Sequence, residues 1–231
     1  MWRIGFVWLL LVISQATLAM NGTGTLSPKS DQGHHTLNSE PDFQEGKDYF
    51  SYQEPLSVRG EPHRILIQFF FDYDCRVCSY AQDILELYSQ THWDLVDVDI
   101  HPVATEDVHY SARVFYALKA IGAEDISSLL LFETAEKQRY TQLSHLNELR
   151  EWLNQQGVNV EAFNQAYYSS LVNRQISDAE KLTEEYGVFT FPYVVIEGKY
   201  VLTASTLYSD DYSFAVLDFL VNKLIKEKQK E

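Results

Sequence analysis

The sequence predicts an α/β protein in which a mixed sheet is interrupted by a long all-helical segment. Three observations carry this. The run Ile65-Leu-Ile-Gln-Phe-Phe-Phe71 is almost continuously apolar, the pattern of a strand buried on both faces. It breaks through Asp-Tyr-Asp into Cys75-Arg-Val-Cys78 and a helical pattern, after which Val96, Val98 and Ile100 alternate with Asp97 and Asp99 as in a second strand. Strand character then lapses over residues 102–186 and returns at Tyr193-Val-Val-Ile-Glu197.

Ahead of these elements, Met1 to Ala19 reads as a cleavable signal peptide: Arg3, an apolar run from Ile4 to Ile13, and the small-residue end Thr17-Leu-Ala19. Ser14, Gln15 and Thr17 interrupt the run short of the ~20 apolar residues a spanning helix needs. Residues 20–42 are rich in Asn, Gly, Thr, Ser and Pro and read as a disordered linker. The full chain has 231 residues, 45% of them hydrophobic, enough for one medium-sized domain or a domain with an insertion. With 18 Lys+Arg against 33 Asp+Glu, the net charge of −15 argues against a nucleic-acid partner.

From Phe43 the elements follow in order. Gly46 to Phe50 and Glu54 to Val58 suggest an edge strand blunted by Pro55. Arg64 to Phe71 is the buried strand, and the helix from Cys75 carries Ala81, Ile84, Leu85, Leu87 and Tyr88 at helical spacing. Trp93 to Ile100 completes a strand-helix-strand unit that His101-Pro102 ends. In the helical segment, Glu106 and Asp107 suit the first turn of a helix bearing Val108, Phe115, Leu118 and Ile121 and stopping at Gly122. Ser127 to Lys137 holds the buried run Leu129 to Phe132. Leu143, Leu146, Leu149 and Leu153 mark a further helix capped by Gly157, and Val160 to Tyr186 holds one long or two shorter helices. Tyr193 to Glu197, a Gly198-Lys199 turn and Tyr200 to Thr203 form a hairpin, and a helix from Ser209 to about Lys228 closes the chain.

Cys75 and Cys78 are the only cysteines. A buried strand delivering Cys-x-x-Cys to a helix start is the sequence form of a thiol-disulfide redox site. Three residues apart on a helix, the two side chains share a face with α-carbons near the ~5.5 Å a disulfide requires. In the first turn, unpaired N–H groups and the helix dipole favour the Cys75 thiolate, the reactive species. Zinc needs four ligands and this pair supplies two, Ser79 excludes the Cys-x-x-Cys-His haem signature, and so short a loop makes a poor structural staple.

The order of elements resembles a thioredoxin-like fold split by a helical insertion, as in the DsbA family of secreted bacterial thiol-disulfide oxidases. The resemblance rests on Glu45-Gly-Lys-Asp-Tyr49, Phe70-Phe-Asp-Tyr-Asp-Cys75-x-x-Cys78, Leu130-Leu-Phe132, Tyr186-Gly-Val-Phe-Thr-Phe-Pro192 and Val195-Ile-Glu-Gly-Lys-Tyr200. It divides the chain into a thioredoxin-like domain over 43–101 and 187–231 and an inserted helical subdomain over 102–186. It implies that Cys75 is the attacked sulfur and Cys78 the resolving one in a redox-active disulfide. It also implies a cis bond at Phe191-Pro192 beside that disulfide, with Phe189, Phe191 and Tyr193 adding apolar surface for an unfolded client.

Two departures bear on tuning. The dipeptide Arg76-Val77 stands where the family often has Pro-His, so that Arg76 supplies positive charge while Asp72 and Asp74 oppose it. The acid many members carry six residues before the first cysteine is Phe69. The expected activity is oxidation of dithiols in unfolded proteins exported to the periplasm, with reoxidation by a DsbB-like membrane oxidase. No cofactor, metal or nucleic acid is expected, and the protein is expected to be a monomer. The alternatives are a periplasmic reductase or isomerase, or a non-catalytic peptide-binding module on the same fold.

Overall fold

The computed structural model describes residues 43–229 apart from positions 59 and 62. The signal peptide expected over 1–19 and the linker expected over 20–42 lie outside the described residues.

In chain order the elements are β1 (Phe50–Ser51), β2 (Ile65–Phe71), α1 (Cys78–Thr91), β3 (Val96–Pro102), α2 (Tyr110–Ala120), α3 (Glu124–Glu133), α4 (Lys137–Leu143), α5 (Leu146–Gln155), α6 (Val160–Tyr167), α7 (Ser170–Glu185), β4 (Tyr193–Ile196), β5 (Tyr200–Thr203) and α8 (Asp210–Lys228). Among the described residues the strands form one mixed sheet in the order β1-β5-β4-β2-β3. Only the β2–β3 pair is parallel, joined through α1 as a strand-helix-strand unit requires.

β2 is buried along its whole length, as its apolar run demands. Ile65, Ile67, Phe69 and Phe71 enter the main core with Ile84, Leu85 and Tyr88 of α1 and Val216, Leu217 and Leu220 of α8. Burying one such phenylalanine contributes about 1.5–3 kcal/mol. Phe70 points the other way, into a smaller cluster with Tyr186, Tyr193, Val195 and Val201. Gln68 is the polar exception, and its Oε1 accepts a hydrogen bond from the Tyr186 hydroxyl at 2.7 Å.

The hairpin between β4 and β5 turns one residue earlier than the sequence suggested, with Glu197 (φ 51°) and Gly198 (φ 64°) both left-handed. Glu197 tolerates this because β2 holds it twice: its N–H donates to the Leu66 carbonyl (2.8 Å) and its carboxylate accepts from the Leu66 N–H (2.9 Å). Gly198 is required because a β-carbon there would stand 2.4 Å from the Leu56 carbonyl oxygen. The same approach corrects the expected edge strand. Phe50 and Ser51 pair with β5, whereas Leu56 donates to the Gly198 carbonyl (2.8 Å), so the chain around Pro55 crosses the turn instead of extending the sheet.

The helical segment is more divided than its pattern implied. Thr105 and Val108 exchange backbone hydrogen bonds (3.0 and 3.2 Å) in a local turn, so α2 starts at Tyr110 and leaves Val108 exposed. In α3 Leu130 and Leu131 are buried, but Phe132, expected in the core, is 65% exposed, since each residue advances about 100° and three consecutive positions cannot share one face. Val160 to Tyr186 resolves into two helices because the Ser169 hydroxyl accepts the Val172 N–H (3.1 Å) and caps α7. At the other end of α7, Gly187 (φ 59°) lets the Val188 N–H reach the Thr183 carbonyl (3.0 Å), which turns the chain into the loop before β4.

Candidate active site

Two chain segments meet at one end of the sheet. β2 leaves the sheet after Phe71 into residues 72–77, and because β4 runs antiparallel to it, with Tyr193 opposite Phe70, the segment before Tyr193 arrives at that same end. The first segment carries the cysteines and the second carries Phe189, Phe191 and Pro192.

Cys75 and Cys78 form a disulfide with α-carbons 5.4 Å apart. Cys75 does not lie in the first helical turn, as expected, but three residues ahead of α1, whose first residue is Cys78 and whose N-cap is Val77. Its N–H is taken by the Asp72 carbonyl (3.0 Å) in a turn, and the Asp72 side chain accepts the Asp74 N–H (2.7 Å). The first N–H groups of α1 have no partner within the helix, so Cys75 stands off the positive end of the dipole rather than within it. Cys78 is fully buried and Cys75 is 5% exposed, so Cys75 is the more accessible of the two sulfurs.

The tuning residues divide. Arg76 is exposed and Val77 is 44% exposed beside the disulfide. Burial pushes the Asp72 carboxyl above the usual carboxylate range, against hydrogen bonds from the Asp74 backbone and the Ser111 side chain that favour its anion. Asp74 meets Lys137 of α4, with Nζ 2.6 Å from Oδ1. Between them, Tyr73 is completely buried: its N–H donates to the Ser111 hydroxyl of α2 (3.0 Å) and its own hydroxyl pairs with Ser127 of α3 (2.7 Å). Three consecutive residues before Cys75 are therefore held by three helices of the insertion. The sequence reading missed Ser111, Ser127 and Lys137; the one signal was the pair of acids flanking Tyr73, which calls for a countercharge but does not say where.

On the second segment the Phe191-Pro192 bond is cis and Phe189 is 83% exposed. Tyr193, expected on the surface, is buried at 4% exposure. Its ring supports Phe189 (centroids 5.9 Å apart) and its hydroxyl lies 3.2 Å from that of Tyr52. Phe69 is fully buried, with its ring 6.0 Å from that of Phe71.

Comparison with known proteins follows the same line. Residues 93–209 match the family model of the DSBA-like thioredoxin domain. An uncharacterised protein of Haemophilus influenzae is 58% identical over 190 residues, covering 82% of this chain and 80% of its own. The thiol:disulfide interchange protein DsbA of Burkholderia cepacia is 28% identical over 184 residues, covering 79% and 86%. In fold, the chain is similar to the crystal structure of Pseudomonas aeruginosa DsbA, with a TM-score of 0.66 at 24% identity over 82% of this chain and 97% of that one. The same TM-score, at 22% identity, relates it to NmDsbA1 of Neisseria meningitidis, over 81% and 96%. With its disulfide at the end of a mixed sheet and a helical insertion between β3 and β4, the chain belongs to the DSBA-like thioredoxin domain family.

Proposed function

We propose that this protein is a thiol-disulfide oxidoreductase working in the oxidising direction on dithiols of exported proteins. The observation that carries the reading is the Cys75–Cys78 disulfide itself, with Cys78 sealed at the start of α1 and Cys75, three residues ahead of it, the more accessible sulfur at 5% exposure. A client thiolate attacks Cys75 Sγ, the S–S bond breaks, and Cys78 leaves as a thiolate. The client's second thiolate then attacks the client sulfur of the mixed disulfide and releases Cys75. The client has lost two electrons and two protons, and the two cysteines of the enzyme have gained them.

Charge supports this direction. The N-terminus of α1, three residues past Cys75, favours a nearby thiolate, which exists only in the reduced form, and burial weakens the opposition of Asp72 by raising its pKa. Cis-Pro192 and the exposed Phe189, at the same end of the sheet as the disulfide, supply the surface on which an extended client lies. The signal-like residues 1–19 and the likeness to DsbA proteins support a periplasmic setting with a DsbB-like membrane oxidase as electron acceptor. No helix among the described residues is long and apolar enough to cross a membrane.

The test is to mix the oxidised protein with a two-cysteine peptide and follow peptide disulfide by mass, and to express Cys78→Ser in an exporting cell. The expected results are one peptide disulfide per enzyme disulfide consumed and accumulated mixed disulfides through Cys75. A peptide left reduced in the first arm, or no adducts in the second, overturns the reading.

A further inference from the structure

The acid beside the reactive cysteine has a partner that the chemistry of Cys75 requires. Asp74 immediately precedes Cys75, and a bare carboxylate there repels a thiolate and disfavours the reduced form. It is not bare: Lys137 Nζ sits 2.6 Å from Oδ1 of Asp74 and 4.9 Å from the centroid of the Tyr140 ring, which helps hold the ammonium in place. Asp72 and Tyr140 also face Asp74. Asp72 is pushed toward its neutral form by burial, and the Tyr140 hydroxyl, raised to about 12, is neutral at physiological pH. Arg76 is exposed.

We propose that Lys137 of α4 sets the redox poise of the Cys75–Cys78 couple by neutralising Asp74, so that the helical insertion tunes the disulfide through one ion pair. Lys137 touches no reacting atom. It is a positioning residue that acts on Cys75 through Asp74. The pair is partly exposed, with side-chain accessibilities of 53% and 39%, so solvent screens it and the effect is modest, about three- to tenfold in the thiolate equilibrium. The proposal rests on the redox reading of the site, but its measurement does not need a client.

The experiment uses the purified protein and its Lys137→Met, Lys137→Arg, Asp74→Asn and Lys137→Met/Asp74→Asn variants. The readouts are the equilibrium constant against glutathione and the Cys75 pKa from thiolate absorbance of the reduced form. Lys137→Met is expected to shift the equilibrium about three- to tenfold toward the disulfide, a tenfold change being about 30 mV, and to raise the Cys75 pKa. Lys137→Arg should stay at the wild-type value, and the Lys137→Met shift should shrink at high salt. In the Asp74→Asn background Lys137 has lost its anchor, so adding Lys137→Met should move the equilibrium by less than half as much as in the wild type. An unchanged equilibrium and pKa in Lys137→Met overturns the proposal. So does a shift of undiminished size in the Asp74→Asn background, which would mean that Lys137 does not act through Asp74. A protein that fails to oxidise the peptide dithiol yet shows these shifts overturns the proposed function alone.

Discussion

The hydroxyls of Tyr73 and Ser127 lie 2.7 Å apart in a fully buried hydrogen bond that ties the loop before the disulfide to α3. Tyr73 also packs edge-to-face on Phe71 (centroids 5.2 Å) and Tyr110 (6.1 Å), so its ring seats the loop while its hydroxyl orients it.

Tyr73→Phe keeps the ring and removes the hydroxyl, leaving the buried Ser127 hydroxyl without this partner. The expected cost is about 1–3 kcal/mol, read by denaturant unfolding of the oxidised protein. A Tyr73→Phe/Ser127→Ala double variant should recover part of that loss, because no polar group is then stranded; if both variants unfold at the wild-type midpoint, the bond holds nothing.

Phe69→Glu introduces an acid at a fully buried position facing the apolar main core. Lost apolar burial and a desolvated carboxyl together should destabilise the protein by about 3–5 kcal/mol at neutral pH. The folded pKa of the new group is raised, so the charge-related part of the penalty should shrink as pH falls toward about 4.3, the unfolded value, and grow as pH rises through the folded one. Circular dichroism melts across pH measure this, and a variant as stable as the wild type at pH 7 would show that the site can solvate a carboxylate.

Asp72→Asn keeps the acceptor for the Asp74 N–H and removes a titrating group whose folded pKa lies above its unfolded value because of burial. By linkage, the wild-type carboxyl favours folding below its unfolded pKa of about 3.9, and that contribution is lost as pH rises through the folded value. Relative to wild type, Asp72→Asn should therefore gain stability as pH rises from about 4 toward 7. A difference that is flat over this range would mean that Asp72 titrates alike in both states.

Phe189→Ala removes a side chain that is 83% exposed, so stability should change by no more than about 0.5 kcal/mol. If the ring meets the client, KM for a two-cysteine peptide with apolar flanks should rise several-fold, while KM for a glycine-flanked control stays unchanged. Equal effects on both peptides would remove Phe189 from the client surface.

Much of this fold could be read from local pattern because the signal was short-range. The unbroken apolar run of β2 required burial on both sides, the alternation of β3 required one polar face, and Cys75 and Cys78 at three-residue spacing were within reach of one another. Helix boundaries were less legible wherever a competing local bond decided them. The Thr105–Val108 turn delayed α2, and the Ser169 cap split the last helical stretch of the insertion.

What only the tertiary structure decided is the company each residue keeps across long separations in the chain. Phe189 and Tyr193 look alike in sequence, yet one is exposed and the other is packed on Phe70, because β4 registers Tyr193 opposite β2. Asp72 and Asp74 read equally as acids opposing Cys75, yet burial raises the pKa of the first and Lys137, 63 residues further along, pairs with the second. The physical reason is that periodicity reports which face of an element is apolar. Charge balance and burial at a loop depend on which other elements pack against it, and here those are the helices inserted between β3 and β4.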